Sequence, residues 1–128
     1  MNAPPDFRDR LPLTPHVFQI LLSLLKGDLH GYALLKDIAR RTDGEMVLGT
    51  STLYAAVQRL VKDGFLQEVD APSDEQSRGP ARKYFRITET GRALARAEAR
   101  RVDRLHRMVA NTGLSTALGV AGGGEERP

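Results

Sequence analysis

The chain contains no cysteine, which excludes disulfides, thiolate metal sites and cysteine nucleophiles. It has no tryptophan, and aromatic residues make up only 5% of it. Apolar runs end after four or five residues, as at Ile20-Leu21-Leu22, so no ~20-residue membrane span fits. The three histidines, His16, His30 and His106, lie far apart and match no metal-ligand spacing; no metal or cofactor is expected. No nucleophile stands beside an acid–base pair, and Asp37, Asp43 and Glu45 read as helix-end and loop solvation, so an enzyme is not expected. The opening Met1-Asn-Ala-Pro-Pro-Asp lacks the apolar stretch of a secretion signal. A cytoplasmic protein without a membrane partner is the expectation.

What is present fits one soluble domain: 128 residues, 41% hydrophobic and 27% charged. The net charge is only +3 but is unevenly placed. Residues 1–75 hold eight Lys/Arg against eleven Asp/Glu, whereas residues 76–128 hold eleven against five. Such asymmetry suits a surface facing a polyanion, with nucleic acid first and an anionic membrane second. The bland alternative is that the arginines from Arg92 to Arg107 solvate the outer face of a helix.

Residues 1–13 read as a flexible arm, because Pro4, Pro5 and Pro12 prevent a continuous helix. Thr14-Pro15 is a helix start, followed by Val17, Ile20, Leu21, Leu24 and Leu25 at helical spacing. Tyr32, Leu34, Leu35 and Ile38 predict a second helix that Gly44 ends. Thr50 and Ser51 can cap a third, running to Asp63 on a stripe of Leu53, Ala56, Val57 and Leu60, with Gly64 as stop. Two strands, Phe65–Val69 and Lys83–Thr88, flank a turn-rich segment and predict a hairpin. Thr88-Glu-Thr-Gly opens a long last helix to about Asn111, and Thr112-Gly113 ends it. Residues 113–128 read as a disordered tail.

Helix, helix, helix, hairpin, long helix is the order of a winged helix-turn-helix, a mainly α protein with a small β-hairpin (α+β). Its DNA-binding domain spans 14–88, and a C-terminal helix at 89–112 is left for dimerisation. The third helix fits a major groove. Ser51 and Thr52 either donate to phosphate and base or only cap the helix. Tyr54 either offers its phenol or packs under the wing. Gln58 can pair with adenine, and Arg59 and Lys62 supply charge for phosphates. On the wing, Arg78, Arg82 and Lys83 can follow the backbone or enter the minor groove. An adaptor of the same fold would lack the basic wing or the polar recognition face. A MarR-like protein would carry more helix before the DNA-binding unit.

Three segments resemble the PadR family of bacterial transcriptional regulators. They are Asp28-Leu-His-Gly-Tyr-Ala-Leu, Ser51-Thr-Leu-Tyr-Ala-Ala-Val-Gln-Arg-Leu-Val-Lys-Asp-Gly-Phe-Leu and Gly79-Pro-Ala-Arg-Lys-Tyr-Phe-Arg-Ile-Thr-Glu-Thr-Gly. Ala55 departs from the proline common in that family, and Phe65 from a leucine. The single long helix after the wing resembles the short C-terminal subgroup. The resemblance implies a homodimer, usually a repressor of a nearby operon, that binds double-stranded DNA at an inverted repeat. It also implies pairing through the last helix, on which Leu94, Val102, Leu105, Met108 and Val109 give an apolar side interrupted by Glu98. Some relatives release DNA on binding a small molecule. Here Phe7, His16, Phe18, His106 and Met108 are candidates to line a cavity, or to pack as ordinary interface, and no ligand is named.

Overall fold

A computed structural model describes residues 6–72 and 82–114. Helix α1 (Pro15–Leu24) starts as its sequence dictates, with the Thr14 side chain accepting from the Val17 amide and proline in the first turn. A two-residue strand β1 (Leu29–His30) leads directly into α2 (Gly31–Arg41). The α2 C-terminus closes through Gly44, whose φ of 79° lets its amide reach the Ala39 carbonyl at 2.7 Å. Helix α3 spans Thr50–Lys62, and Gly64 ends it at φ 85°. Strands β2 (Leu66–Asp70) and β3 (Lys83–Ile87) form the wing, and α4 spans Glu89–Asn111.

The hairpin expectation holds but was incomplete. Among the described residues the sheet has three strands in the order β1-β3-β2, all antiparallel. Leu29 faces Phe85 and His30 faces Tyr84, so the segment before α2 is stitched to the wing. An ion pair reinforces this edge: Arg86 Nη2 lies 2.8 Å from Asp28 Oδ2.

The core lies where the helix stripes meet β3. It contains Ile20, Leu21 and Leu24 from α1, Leu34 and Ile38 from α2, Leu53, Val57 and Leu60 from α3, Phe85 and Ile87 from β3, and Leu94 and Ala95 from α4. Helix α4 is docked only by its first half. Every described residue from 102 to 114 is exposed, so its last three turns project from the domain.

The N-terminal arm is irregular, as its prolines require, but its described part is not loose. Phe7, Leu11 and Leu13 pack on the core. Phe7 meets Phe65 edge-on at 6.1 Å, and Arg10 lies over that same ring while pairing with Asp63 at 2.8 Å. That guanidinium holds the Asp63 carboxyl below its ordinary value. Apolar burial outweighs the chain's freedom here, which composition alone could not reveal.

Glu98, which breaks the apolar side of α4, is 2% exposed. Its carboxylate accepts two hydrogen bonds from Arg101, both at 2.8 Å, and one from the Leu13 backbone amide. It therefore ties the arm to α4. The Arg101 hydrogen bonds, helped by the Leu13 amide, hold its pKa below the ordinary 4.5 against the opposing effect of burial. A lowered folded-state pKa gives stability that is complete above the unfolded value and is lost as pH falls through the folded one. Urea midpoints of the native chain should therefore drop below about pH 4.5 more steeply than those of Glu98→Gln. Equal slopes would show that Glu98 does not couple to folding.

Candidate nucleic-acid interface

The capping residue of α3 is Gly49, which makes no side-chain cap. Neither Thr50 nor Ser51 fills that position, contrary to the sequence expectation; both stand in the first turn with Thr52. Leu53, Val57 and Leu60 turn inward. That rotation leaves Ser51, Thr52, Tyr54, Gln58, Arg59 and Lys62 exposed along the opposite face.

Tyr54 combines the two alternatives left open by its sequence. Its ring meets Phe85 edge-on at 6.3 Å, yet the residue remains 38% exposed. Its position depends on Gly31, because a Cβ built there would lie 2.0 Å from the Tyr54 hydroxyl. The first residue of α2 is thus a seat for the phenol of α3.

Arg82, just before β3, and Lys83, its first residue, lie beside this face and are exposed. Lys83 Nζ is 4.0 Å from Glu68 Oε1 across the hairpin, and Arg82 Nη1 lies 3.0 Å from His30 Nε2. Tyr54, Gln58, Arg82 and Lys83 line one cavity of about 500 Å³ with His30, so recognition helix and wing present a common polar surface. Arg78 lies outside the described residues. Sequence reasoning missed His30. Its signal was the His-Gly-Tyr segment, but histidine is an unusual helix cap, and its role appears only when β1 pairs with β3.

Leu94 does not belong to an exposed seam. It is 1% exposed and packs in the chain's own core, because it lies on the docked half of α4. Val102, Leu105, Met108 and Val109 are exposed on the projecting half. Phe7 packs against the core and meets Phe65, whereas His106 and Met108 stand on the exposed, projecting half of α4. An apolar cavity of about 550 Å³ lies between the arm, the start of α1 and α3, and His16 lines it.

Three helices, with the third presenting a polar face beside a β-wing, define a winged helix-turn-helix protein. Residues 20–97 match the transcriptional regulator PadR-like family, and the chain belongs to that family. It is 38% identical over 79 residues to an uncharacterised protein of Lysinibacillus sphaericus, covering 61% of this chain and 70% of that one. It is similar to a transcriptional regulator of Clostridium thermocellum, at 27% identity and a TM-score of 0.63, over 75% of this chain and 87% of that one. It shares its fold with Bacillus subtilis PadR, solved in complex with operator DNA, at 21% identity and a TM-score of 0.58 over 67% of this chain and 47% of that one. No helix among the described residues is long and apolar enough to cross a membrane.

Proposed function

We propose that this chain is a homodimeric repressor that binds double-stranded DNA sequence-specifically at an inverted repeat near its own gene. The observation that carries the reading is the common surface of α3 and wing, where Tyr54 and Gln58 stand beside Arg82 and Lys83. Hydroxyl, amide and phenol groups at the start and middle of α3 suit base edges. Arg59, Lys62, Arg82 and Lys83 suit phosphates. The fold shared with a PadR that holds operator DNA supports the same reading.

In this reading residues 14–88 form the DNA-binding unit, and the projecting part of α4, within 89–112, joins two copies. Val102, Leu105 and Val109 repeat at intervals of three and four, the spacing of a helix-pairing seam. Pairing two recognition helices about a two-fold axis sets half-sites about one helical turn apart, or a multiple of that. Any small-molecule effector would act by favouring a dimer geometry that does not match this spacing.

The test is binding of the purified chain to its upstream intergenic DNA at ~50 and ~200 mM salt. Affinity should fall roughly a thousandfold between the two if six or more phosphates are neutralised. The double variant Tyr54→Ala/Arg82→Ala should lose most binding at both. A flat salt response, or a double variant that binds like the parent, would remove the DNA reading and leave the fold as a protein–protein adaptor.

A further inference from the structure

Helix α3 has a third flank besides its buried stripe and its exposed polar face. Thr52, Ala56 and Arg59 follow one another at intervals of four and three, between Leu60 on the core side and Ala55 on the polar side. This flank lines the cavity of about 550 Å³ beneath the arm. Leu13 of the arm and Val17 of α1 line it too, and Leu60, Phe65 and Leu94 are its buried walls. The volume is ordinary for a small-molecule site, and the lining is mostly apolar. Ala55 and Ala56 leave the space, because each brings only a methyl group.

One side of this cavity is cationic. A second cavity, of about 540 Å³ and mostly polar, is lined by Arg10, Gln58, Arg59, Lys62 and Asp63, and so shares Arg10, Arg59 and Asp63 with the first. Asp63 is the one carboxylate among the described lining residues of both. Arg10 engages it at 2.8 Å and is itself held over the Phe65 ring. The Arg59 guanidinium and the Lys62 ammonium form no ion pair among the described residues and act on Asp63 only at a distance. Three cations against one carboxylate leave this mouth positive, while the space behind it is apolar. An apolar body carrying one negative charge complements both parts.

We infer that the cavity binds an amphipathic monoanion, its hydrocarbon body seated among Val17, Ala56 and Leu94 and its carboxylate accepting from the Arg59 guanidinium. The consequence rests on the DNA-binding reading above, in which Arg59 serves a DNA phosphate. Arg59 stands where the cavity flank meets the exposed face of α3. One guanidinium cannot hold a carboxylate on the cavity side and a phosphate on the groove side at full strength. The ligand therefore competes with DNA for Arg59 inside one protomer, a more local route than a change of dimer geometry.

The test is calorimetric titration of the full chain with decanoate, kept below its micelle concentration, beside decanol. Decanoate should bind one molecule per chain, and decanol about tenfold more weakly, because a charge-assisted hydrogen bond gives way to a neutral one. Arg59→Gln should bring decanoate down to the level of decanol. Ala56→Leu and Val17→Met fill the cavity from two sides and should each weaken decanoate by about tenfold or more. Urea midpoints close to the parent's show that both are folded. Saturating decanoate should weaken parental binding to the upstream DNA about tenfold and flatten the salt slope by about one, as if one phosphate contact were lost. Sedimentation should show the association state unchanged.

Equal binding of decanoate and decanol would overturn the anionic head. Parental decanoate affinity in both filled variants would place the ligand elsewhere. Uptake by a Leu105→Glu variant but not by the parent would mean that a second copy covers the cavity, and would overturn the site. Unchanged DNA affinity with decanoate bound would overturn the competition at Arg59, and a change of association state would assign the effect to dimer geometry instead. A parent that takes up decanoate but binds no DNA would sink the DNA reading and leave the site standing.

Discussion

Gly91→Ala is expected to destabilise the protein by about 3 kcal/mol or more, among the larger effects of a single added methyl. Gly91 is buried in the first turn of α4. A Cβ there would stand 2.1 Å from the Phe65 carbonyl oxygen and 2.8 Å from Ile87 Cγ1. The first contact is backbone and cannot rotate away, so the helix must lift or the α3–β2 connection must shift. The same connection is bound from above, because the Phe65 carbonyl accepts the Thr88 amide at 3.1 Å and Thr88 Oγ1 donates to the Gly64 carbonyl at 2.7 Å. The helix propensity that alanine adds is about 1 kcal/mol and does not compensate. A urea titration checks this, with the midpoint falling and the slope unchanged. Gly49→Ser is the control: a Cβ there meets nothing within 4 Å, φ is an ordinary −75°, and serine is a good cap. It should stay within about 0.5 kcal/mol of the parent. If Gly91→Ala behaved like the control, the close seating of α4 on Phe65 would be wrong.

Leu105→Glu should have the largest effect on function. Leu105 lies on the projecting half of α4 and is 44% exposed, so a charge there does not disturb the core of the single chain. In a paired seam the two-fold axis would bring two carboxylates close together in desolvated surroundings, which costs far more than one exposed charge. Sedimentation should show a monomer, with helix content preserved. Affinity for a two-half-site operator should fall by roughly a hundredfold or more, because the second half-site contact ceases to be intramolecular. A variant that stays dimeric would place the seam elsewhere. A monomer that binds the operator undiminished would remove the inverted-repeat geometry.

These two positions show how local and non-local information divide in this chain. In sequence Gly91 reads only as part of the Thr88-Glu-Thr-Gly segment that opens the last helix. Only the arrival of Phe65, more than twenty residues earlier, turns it into a position that excludes a methyl group. Gly31 is similar. In the sequence it belongs to a motif, and in the structure it is the surface on which Tyr54 rests. Leu94 and Leu105 have the same residue type on the same helix, eleven positions apart. One is core and the other is exposed, because α4 is longer than the domain beneath it.

The sequence by itself determined every helix, the two wing strands, the Thr14 and Thr88 caps and the glycine stops at 44, 64 and 113. Each depends on residues within about one turn of one another, where periodicity and backbone preference act directly. It also determined the chemistry of the α3 face, since burying Leu53, Val57 and Leu60 leaves only one side for Tyr54, Gln58 and Arg59. The tertiary structure alone decided the rest. A two-residue strand has no period to detect, so β1 becomes visible only when β3 supplies its partners. The packing of the arm on Phe65, the buried Glu98 tie and the meeting of His30 with Arg82 join groups separated by tens of residues. Their energies arise from burial and from directed hydrogen bonds across that separation, and no local pattern in the chain encodes which distant group arrives.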